Sequence, residues 1–340
     1  MVKSRLKKYF VFKTKMKLES INTLLVTGGC GFIGSHFINY IHEKYPHLVI
    51  VNIDRVDYCS SVDNITNKGP TYIHSKIDLN NQNEMRKLFE TYKIDAVVHF
   101  AAQSHVDNSF GNSLSFTMDN VLGTHVLMEC CRQAHLLRPI QKIVHISTDE
   151  VYGEVDLDHS GCHEKSLLNP TNPYAATKAA AEFIVRSYYH SFKLPIVITR
   201  GNNVFGENQY PEKVIPKFLT QMLNDNPITV QGLGTARRNF IYVDNVSSAV
   251  EVILTNGEIN EVYNIGCDDE YSVMEIAEIL SKKVNGLDKP NLKITYIEDR
   301  CFNDQRYCID SSKLKALGWT CSISFEEGID RVVKKWKQTI

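Results

Sequence analysis

Short apolar segments alternate with amphipathic segments along roughly the first 200 residues of the chain. The amphipathic segments predict helices that begin near residues 33, 81, 113 and 173. The apolar segments predict strands at residues 23–29, 48–55, 71–78, 96–102, 142–147 and 196–200. Strands that alternate with helices need crossover connections, which are typical of a parallel sheet covered by helices on both faces. The pattern therefore predicts an α/β fold with a doubly wound parallel sheet.

The pattern becomes less regular from about Phe205 onwards. Prolines and a glycine-rich turn at residues 232–234 interrupt it, and residues 240–243 and 262–265 form short strand-like runs. We interpret this half as a smaller α/β lobe that is interleaved with the first domain. The predicted division assigns residues 20–204 plus about 238–264 to the first domain, and residues 205–237 and 265–340 to the lobe.

The composition is that of a folded protein without a broad charged surface. Of the 340 residues, 43% are apolar, which excludes a disordered chain. Lys and Arg number 38 against 39 Asp and Glu, so the net charge of −1 predicts neither a nucleic-acid partner nor a membrane partner. No apolar run approaches the ~18 residues that a membrane-spanning helix needs.

Residues 1–19 form a basic segment with seven Lys or Arg and one acidic residue. We predict a disordered tail outside the fold, because the apolar run within it is too short for a secretory signal. A mitochondrial-targeting or membrane-surface role is the alternative, and the scarcity of Ser and Arg disfavours it.

The nine cysteines show neither a Cys-x-x-Cys pair nor the spacing of metal ligands. An odd number of scattered cysteines is typical of reduced thiols inside a cell. We therefore predict a cytoplasmic protein with no metal site.

A glycine-rich turn joins the first predicted strand to the first predicted helix. Its glycines are Gly28, Gly31 and Gly34, and they permit a tight turn and the close approach of a pyrophosphate to the helix N-terminus. Asp54 follows twenty residues after Gly34, where a carboxylate accepts hydrogen bonds from ribose hydroxyls. Asp54 would repel a 2′-phosphate, so the pattern predicts a Rossmann-type NAD site. The neighbouring Arg55 leaves NADP open.

The Gly-x-x-Gly-x-x-Gly spacing resembles that of the extended short-chain dehydrogenase/reductase family. The chemistry of that family is carried by a Tyr-x-x-x-Lys pair, and Tyr174 and Lys178 match it here. Asn172 and Pro173 are suited to the N-cap and the first position of a helix. The helix dipole and the ammonium group then predict a lowered pKa for Tyr174, which would let it act as a base.

Two acidic residues follow the strand at residues 142–147, in the segment Ser-Thr-Asp-Glu-Val-Tyr-Gly that begins at Ser147. This segment resembles that of the NDP-glucose 4,6-dehydratases. The resemblance implies that Tyr174 removes the proton of the C4 hydroxyl while Thr148 hydrogen-bonds the developing ketone. Glu150 then removes the C5 proton, and Asp149 protonates the departing C6 hydroxyl.

The same resemblance extends over nearly the whole chain after the basic segment and implies further binding residues. Gln103 departs from the Glu of the family's Ala-Ala-Glu-Ser-His-Val-Asp segment. The implied cofactor-binding residues are Gly28, Gly31, Phe32, Ile33, Gly34, Asp54, Asp78, Leu79, Ala101, Ala102, Ser104, Tyr174 and Lys178. The implied substrate-binding residues are His105, Thr148, Asn203, Lys213, Arg238, Asn264 and Arg306.

The segments 199–206 and 302–307 narrow the expected substrate, a nucleotide sugar. They resemble the UDP-glucose dehydratase domain of rhamnose synthases more than the bacterial dTDP-glucose enzymes, and Gln231 replaces a tyrosine frequent in the latter. UDP-glucose is therefore the expected substrate, and dTDP-glucose is the alternative. Because the sequence ends at Ile340, we expect the reaction to stop at the keto sugar, a step toward rhamnose-type sugars.

Two other functions are compatible with parts of the pattern. An NDP-sugar 4-epimerase would share the fold, the NAD site, Tyr174 and Lys178, but it would not need Asp149 or Glu150. A non-catalytic NAD-binding protein would have no physical reason to keep all of these side chains.

The helices at about residues 113–134 and 173–191 carry more apolar positions than one sheet-facing stripe requires. In extended dehydrogenases of this kind, two subunits pair through two such helices of the cofactor domain. The resemblance implies a homodimer, and the alternative is that both helices are buried under the second lobe.

Overall fold

A seven-stranded parallel sheet forms the centre of the structure, a computed structural model that describes residues 15–286 and 292–339. Its strands run in the order β10-β6-β5-β4-β1-β2-β3, with the direction of winding reversed between β1 and β4. The strands of the described residues are β1 (Thr23–Thr27), β2 (Val49–Ile53), β3 (Tyr72–Ser75), β4 (Ala96–His99), β5 (Lys142–Thr148), β6 (Ile196–Gly201), β7 (Asn203–Phe205), β8 (Ile228–Gln231), β9 (Arg237–Tyr242), β10 (Val262–Ile265), β11 (Glu270–Ser272) and β12 (Ile294–Ile297). The predicted doubly wound α/β fold is confirmed.

Helices cover both faces of this sheet. The α-helices of the described residues are α1 (Phe32–Lys44), α2 (Gln82–Thr91), α3 (Val106–Gly111), α4 (Ser113–Phe116), α5 (Gly123–Leu137), α6 (Pro173–Phe192), α7 (Val214–Leu223), α8 (Val243–Asn256), α9 (Val273–Asn285), α10 (Ser312–Lys315) and α11 (Phe325–Thr339). A π-helical segment, Thr117–Leu122, connects α4 to α5. One face of the sheet packs against α1 and α8, and the other packs against α2, α5 and α6.

The predicted basic tail ends earlier than expected. Met16 and Leu18 are buried in the core beside α1 and α8, at 6% and 1% exposure. The boundary at residue 19 is therefore wrong, because these apolar side chains pack with the large sheet. The first fourteen residues lie outside the described residues.

A second group of elements forms the smaller lobe. It contains the sheet β11-β9-β7, the sheet β12-β8 and the helices α7, α9 and α11, which share a third apolar core. β9 belongs to this small sheet, whereas the following α8 packs on α1 of the large one. Leu314 and Trp319 also lie in the core of the large sheet. The two-domain division remains an interpretation, and the chain crosses between the two groups more often than it assumes.

Cys267 and Cys321 form a disulfide, so the prediction of nine reduced thiols is wrong for this pair. They are 54 residues apart, after β10 and before α11. The fold brings both chain segments to α8, where the Asn245 amide donates to Cys321 Sγ at 3.2 Å. The spacing of the cysteines along the sequence does not predict this pair.

None of the helices that the structure describes is long and apolar enough to cross a membrane.

Candidate active site

A large cavity of about 540 Å³ lies where the carboxyl ends of β1, β2, β4, β5 and β6 face the smaller lobe. This volume suits a small-molecule or cofactor site, and its place is the crevice where open α/β sheets bind ligands. All of the residues expected to bind the cofactor line it: Gly28, Gly31, Phe32, Ile33, Gly34, Asp54, Asp78, Leu79, Ala101, Ala102, Ser104, Tyr174 and Lys178.

The glycine turn has the shape that a dinucleotide requires. Gly28 has a φ of +69°, and a Cβ there would lie 2.6 Å from the Ala101 backbone. A Cβ at Gly34 would lie 2.4 Å from the Gly28 oxygen. Gly31 lines the cavity, and a Cβ there would meet the Gly28 oxygen at 3.3 Å. The turn thus leaves backbone exposed at the start of α1, where a pyrophosphate can approach.

Asp54 is held in place at the end of β2. Its carboxylate accepts hydrogen bonds from the backbone N–H of Cys30 at 2.9 Å and of Val56 at 2.7 Å. The carboxylate is buried but lines the cavity, as the ribose-binding role requires.

Arg55 is surrounded by carboxylates. Its guanidinium lies 2.6 Å from Asp57, 2.8 Å from Asp119 and 3.6 Å from Asp78. A 2′-phosphate would therefore meet more negative than positive charge, which favours NAD over NADP. Gln103 Nε2 donates to Asp119 at 2.5 Å, so the amide at this departure from the family pattern avoids a fourth acidic side chain in the group and a direct repulsion of Asp119.

Tyr174 and Lys178 lie on the first turns of α6, both buried at the cavity. The predicted lowering of the Tyr174 pKa is not observed. Burial, and secondly the charge of Glu150, raise the pKa of this phenol well above its usual value. Lys178 donates to the Ile146 carbonyl at 2.7 Å, and burial lowers the pKa of its ammonium group to about 8.

Asp149 lies in a 3₁₀ turn directly after β5, at 2% exposure. Asn202 Nδ2 donates to its Oδ2 at 2.9 Å, and burial raises the pKa of the carboxyl to about 7. Asp149 does not itself line the cavity, but its Oδ1 lies 3.3 Å from the hydroxyl of Thr148, which does. A carboxyl in this environment can hold a proton at neutral pH.

Glu150 lines the cavity on the same turn. Its Oε2 accepts a hydrogen bond from Asn172 Nδ2 at 3.0 Å. Burial raises the pKa of this carboxyl also, while Asn172 and the more distant Arg238 and Lys213 oppose the shift. The site therefore places two carboxyls that can exchange protons beside one buried phenol.

The expected substrate-binding residues divide into two groups. Those that line the cavity are His105, Thr148, Asn203, Lys213 and Arg238. Asn264 does not, because it is fully buried and bonds the Tyr152 hydroxyl and the carbonyls of Cys162 and Asp310. Arg306 also lies elsewhere, paired with Glu270 at 2.6 Å and donating to two backbone carbonyls. The structure does not bring these two residues to the cavity, and their role in substrate binding stays a prediction that the cavity lining does not support.

Sequence reasoning missed Arg300 and Tyr307, which both line the cavity. Arg300 lies 2.9 Å from Asp107 and within 3.3 Å of the Gln231 side-chain oxygen. Tyr307 stacks under the Arg238 guanidinium at 4.3 Å. Arg300 lies in a loop without periodicity, and the one signal that could have identified it was its closeness to the segment 302–307.

The comparison with known families gives a match over most of this chain. The sequence profile of a family described as GDP-mannose 4,6 dehydratase matches residues 25–332. The chain belongs to this family. The expected kinship with the NDP-glucose 4,6-dehydratases of the extended short-chain dehydrogenase/reductase type is confirmed.

Members of the 4,6-dehydratase family with different nucleotide specificities resemble this chain. A trifunctional UDP-glucose 4,6-dehydratase/UDP-4-keto-6-deoxy-D-glucose 3,5-epimerase/UDP-4-keto-L-rhamnose-reductase of Arabidopsis thaliana is 47% identical over 92% of this chain. The chain spans 46% of that protein's length. A dTDP-D-glucose 4,6-dehydratase of Mus musculus is 44% identical over 93% of this chain and 88% of its own.

A solved structure of a family member has nearly the same fold. It is DesIV, a dTDP-glucose 4,6-dehydratase from Streptomyces venezuelae with NAD and TYD bound, with a TM-score of 0.86 and 34% identity. The match covers 93% of this chain and 97% of the solved one. The agreement therefore includes both the large sheet and the smaller lobe.

Proposed function

We propose that this chain is an NAD-dependent NDP-glucose 4,6-dehydratase that converts UDP-glucose to UDP-4-keto-6-deoxyglucose. The observation that carries the proposal is the acidic pair at the end of β5 beside Tyr174, in which Asp149 is buried and Glu150 is partly buried and lines the cavity. An enzyme that only moves a hydride at C4 needs the phenol. An enzyme that also removes water from C5 and C6 needs an additional base and an additional acid.

The glycine turn and Asp54 would hold NAD, which when bound would supply the hydride chemistry at C4 and C6. Tyr174 takes the proton of the C4 hydroxyl, and Thr148, which hydrogen-bonds the phenol, donates to the carbonyl oxygen that forms. Lys178, at the cavity and four residues along α6, is the cation available to oppose the burial that raises the Tyr174 pKa, so that the phenol can act as the base during the reaction.

Water leaves in the second half of the reaction. Once C4 is a ketone, the C5 proton is acidic, and Glu150 removes it while the C6–O bond breaks. Asp149 supplies the proton with which the C6 hydroxyl departs as water, and this proton reaches the cavity through the Thr148 hydroxyl, 3.3 Å from Asp149 Oδ1. Glu150 then returns its proton to C5. At that point Tyr174 still holds the proton of the C4 hydroxyl and Asp149 has lost one, so Tyr174 must release a proton to solvent and Asp149 must take one up before the next cycle.

UDP-glucose is the proposed substrate, and dTDP-glucose is the second candidate. The Arabidopsis relative, which acts on UDP-glucose by its name, is 47% identical, and the mouse dTDP-glucose enzyme is 44% identical. The two sugars should be incubated separately with the protein, and the products identified by mass and by the ultraviolet absorbance of the keto sugar in base. Faster loss of water from UDP-glucose supports the proposal. Faster loss of water from dTDP-glucose would make dTDP-glucose the substrate instead.

The same assay separates the other functions. A 4-epimerase would give UDP-galactose, with no loss of water. A non-catalytic protein would bind NAD and leave both sugars unchanged. Either result would overturn the assignment that the acidic pair supports.

We infer that the protein forms a homodimer through α4, α5 and α6. Leu114, Met118 and Leu122, each one helical turn or so after the last, are 78%, 50% and 36% exposed, and Phe183 on α6 is 62% exposed. An apolar surface of this kind favours a two-fold interface. Several of the apolar residues that led to the prediction, including Phe116, Val126 and Leu127, face the interior instead.

Light scattering of Phe183→Asp tests this surface. A charge there should convert a mass near twice 38.7 kDa into a mass near 38.7 kDa. Leu167→Asp is the matched control, because Leu167 is 89% exposed on a loop outside these helices. A wild-type protein with the mass of one chain would contradict the dimer. The cytoplasmic location remains a prediction.

A further inference from the structure

Asn172 is the N-cap of α6, and its side chain also makes a hydrogen bond that capping does not require. Its Oδ1 accepts the backbone N–H of Ala175 at 2.8 Å, which is the ordinary capping bond. Its Nδ2 donates to Glu150 Oε2 at 3.0 Å. A cap needs only the oxygen, so Ser, Thr or Asp would cap this helix equally well. The amide nitrogen is the part of the side chain that capping leaves unexplained.

We propose that Asn172 is a positioning residue for the elimination step. It fixes the position and orientation of the Glu150 carboxylate relative to the Tyr174 hydroxyl. This inference rests on the proposed function, because it assigns Asn172 to the step in which Glu150 removes the C5 proton. Asn172 would act through Glu150 and has no contact of its own with the reacting atoms.

The burial of Asn172 supports this role. The side chain is 5% exposed, and both ends of its amide are engaged by protein groups, so its orientation is fixed. Exchange of the amide oxygen and nitrogen would place the NH₂ against the Ala175 N–H and the oxygen against a carboxylate. Only the observed orientation satisfies both partners.

The connectivity of the site supports it further. Tyr174 lies two residues after Asn172, on the helical turn that the cap stabilises, whereas Glu150 lies on the separate turn after β5. Among the described residues, Asn172 gives the only side-chain hydrogen bond to the Glu150 carboxylate, through Oε2. Oε1 has no hydrogen-bond partner among the described side chains, and Glu150 lines the cavity. The amide therefore connects the phenol that acts at C4 with the carboxylate that acts at C5.

An amide donor suits a residue that must gain and lose a proton. The charged groups that act on Glu150 from other elements are Arg238, Lys213 and Asp304, together with the neighbouring Asp149 and Tyr174. None of the cations forms an ion pair with Glu150 in the described part of the chain. A neutral donor orients the carboxylate without binding it as strongly as Arg or Lys would, so the group remains able to take the C5 proton.

Two substitutions separate positioning from capping. Asn172→Ser keeps an oxygen for the Ala175 N–H but has no amide to reach Glu150. Asn172→Asp also keeps the cap, and it places a second carboxylate beside Glu150. Asn81→Ser is the matched control, because Asn81 caps α2 through its side-chain oxygen and does not line the cavity.

The measurement is a single turnover with substrate, recorded as the absorbance of the reduced nicotinamide and as exchange of the C5 hydrogen with deuterated solvent. For Asn172→Ser we expect C4 oxidation close to wild type, accumulation of the reduced-nicotinamide signal, and C5 exchange slowed about 10–100-fold. Asn172→Asp should be slower again. Thermal unfolding of both should match that of Asn81→Ser, which should retain wild-type kinetics.

Wild-type C5 exchange in Asn172→Ser would overturn the inference, as would equal losses in C4 oxidation and C5 exchange, which would indicate a general distortion of α6. Failure of the proposed function has a different signature. In that case the wild-type protein itself would release no keto sugar, and the inference would fall with it.

Discussion

Aspartates have opposite surroundings at the Arg55 end of the cavity and behind its other end, where β5 stops. Around Arg55, the side chains of Asp57 and Asp78 are 45% and 44% exposed and that of Asp119 is 14% exposed, and all three lie near one guanidinium. At the end of β5, Asp149 is almost fully buried, and its nearest partner is the neutral amide of Asn202. The first group surrounds a cation, whereas the second has, among the described residues, only neutral hydrogen-bond donors beside it.

The pKa values follow from these surroundings. The backbone N–H of Tyr58, and then Arg55, lower the pKa of Asp57, so this carboxylate stays charged at any physiological pH. Burial raises the pKa values of Asp149 and Glu150, because water no longer stabilises their charged forms. The comparison indicates that exposure and the kind of hydrogen-bond donor decide whether a carboxyl in this cavity binds or reacts.

The strongest test of this contrast is Glu150→Gln. The substitution keeps the size of the side chain and can keep a bond to Asn172, but it removes the group that accepts the C5 proton. We expect release of the 6-deoxy product to fall by about 10²–10⁴-fold while C4 oxidation continues, so that the reduced-nicotinamide absorbance accumulates. Rapid-mixing absorbance together with product mass measures both.

Glu154→Gln is the matched control, since Glu154 is exposed and lies outside the cavity lining. It should behave as wild type. Normal product release from Glu150→Gln, without accumulated reduced nicotinamide, would exclude Glu150 as the base.

Asp149→Asn tests the proton-carrying role through pH. With a pKa of about 7, Asp149 holds its proton at acidic pH and loses it as the pH rises. As the acid of the elimination it must be protonated, so wild-type elimination should slow above about pH 7. Asp149→Asn should slow elimination by about 10–100-fold at pH 6 and lose this alkaline limb, as measured by a pH–rate profile of single turnovers.

The stability of the same variant has a defined sign. The folded protein binds the Asp149 proton more tightly than the unfolded chain, whose Asp pKa is near its ordinary value of 3.8. The free energy of unfolding that this group contributes therefore falls between about pH 4 and pH 7. Asp149→Asn escapes that loss, so at pH 8 its Tm should exceed that of wild type by at least about 2 °C. A lower Tm at pH 8 would contradict a buried, unpaired carboxylate.

Much of this contrast could be predicted from sequence, because the residues concerned lie in short motifs at the ends of strands and the starts of helices. Several key positions directly follow a strand or begin a helix: the glycine turn, Asp54, Asp149, Glu150 and Tyr174. Parallel strands bring such positions to one edge of the sheet. The burial that reverses the expected pKa shift of Tyr174 depends on the opposite lobe, which no local motif describes.

The residues that sequence reasoning misplaced depend on contacts between distant segments. Asn264 lies on a strand of the large sheet, but Tyr152 and Asp310 hold its side chain away from the cavity. Arg306 and Arg300 lie six residues apart in one irregular segment, and only the fold decides which one reaches the cavity. The disulfide of Cys267 and Cys321 has the same origin.

The smallest expected effect concerns the carboxylates around Arg55, at the end of the cavity far from Glu150. Asp119→Asn removes one of the carboxylates that bind Arg55, and the freed guanidinium can then pair with a 2′-phosphate. Because a partly exposed ion pair contributes only about 0.5–1 kcal/mol, NADP affinity should rise about 2–5-fold, with NAD affinity nearly unchanged, by titration calorimetry. Asp63→Asn is the matched control, since Asp63 is 89% exposed beside Lys68 and outside the cavity lining. If Asp119→Asn instead weakened NAD and left NADP unchanged, this carboxylate would be a direct cofactor ligand, and the division between charges that bind and carboxyls that react would have to be redrawn.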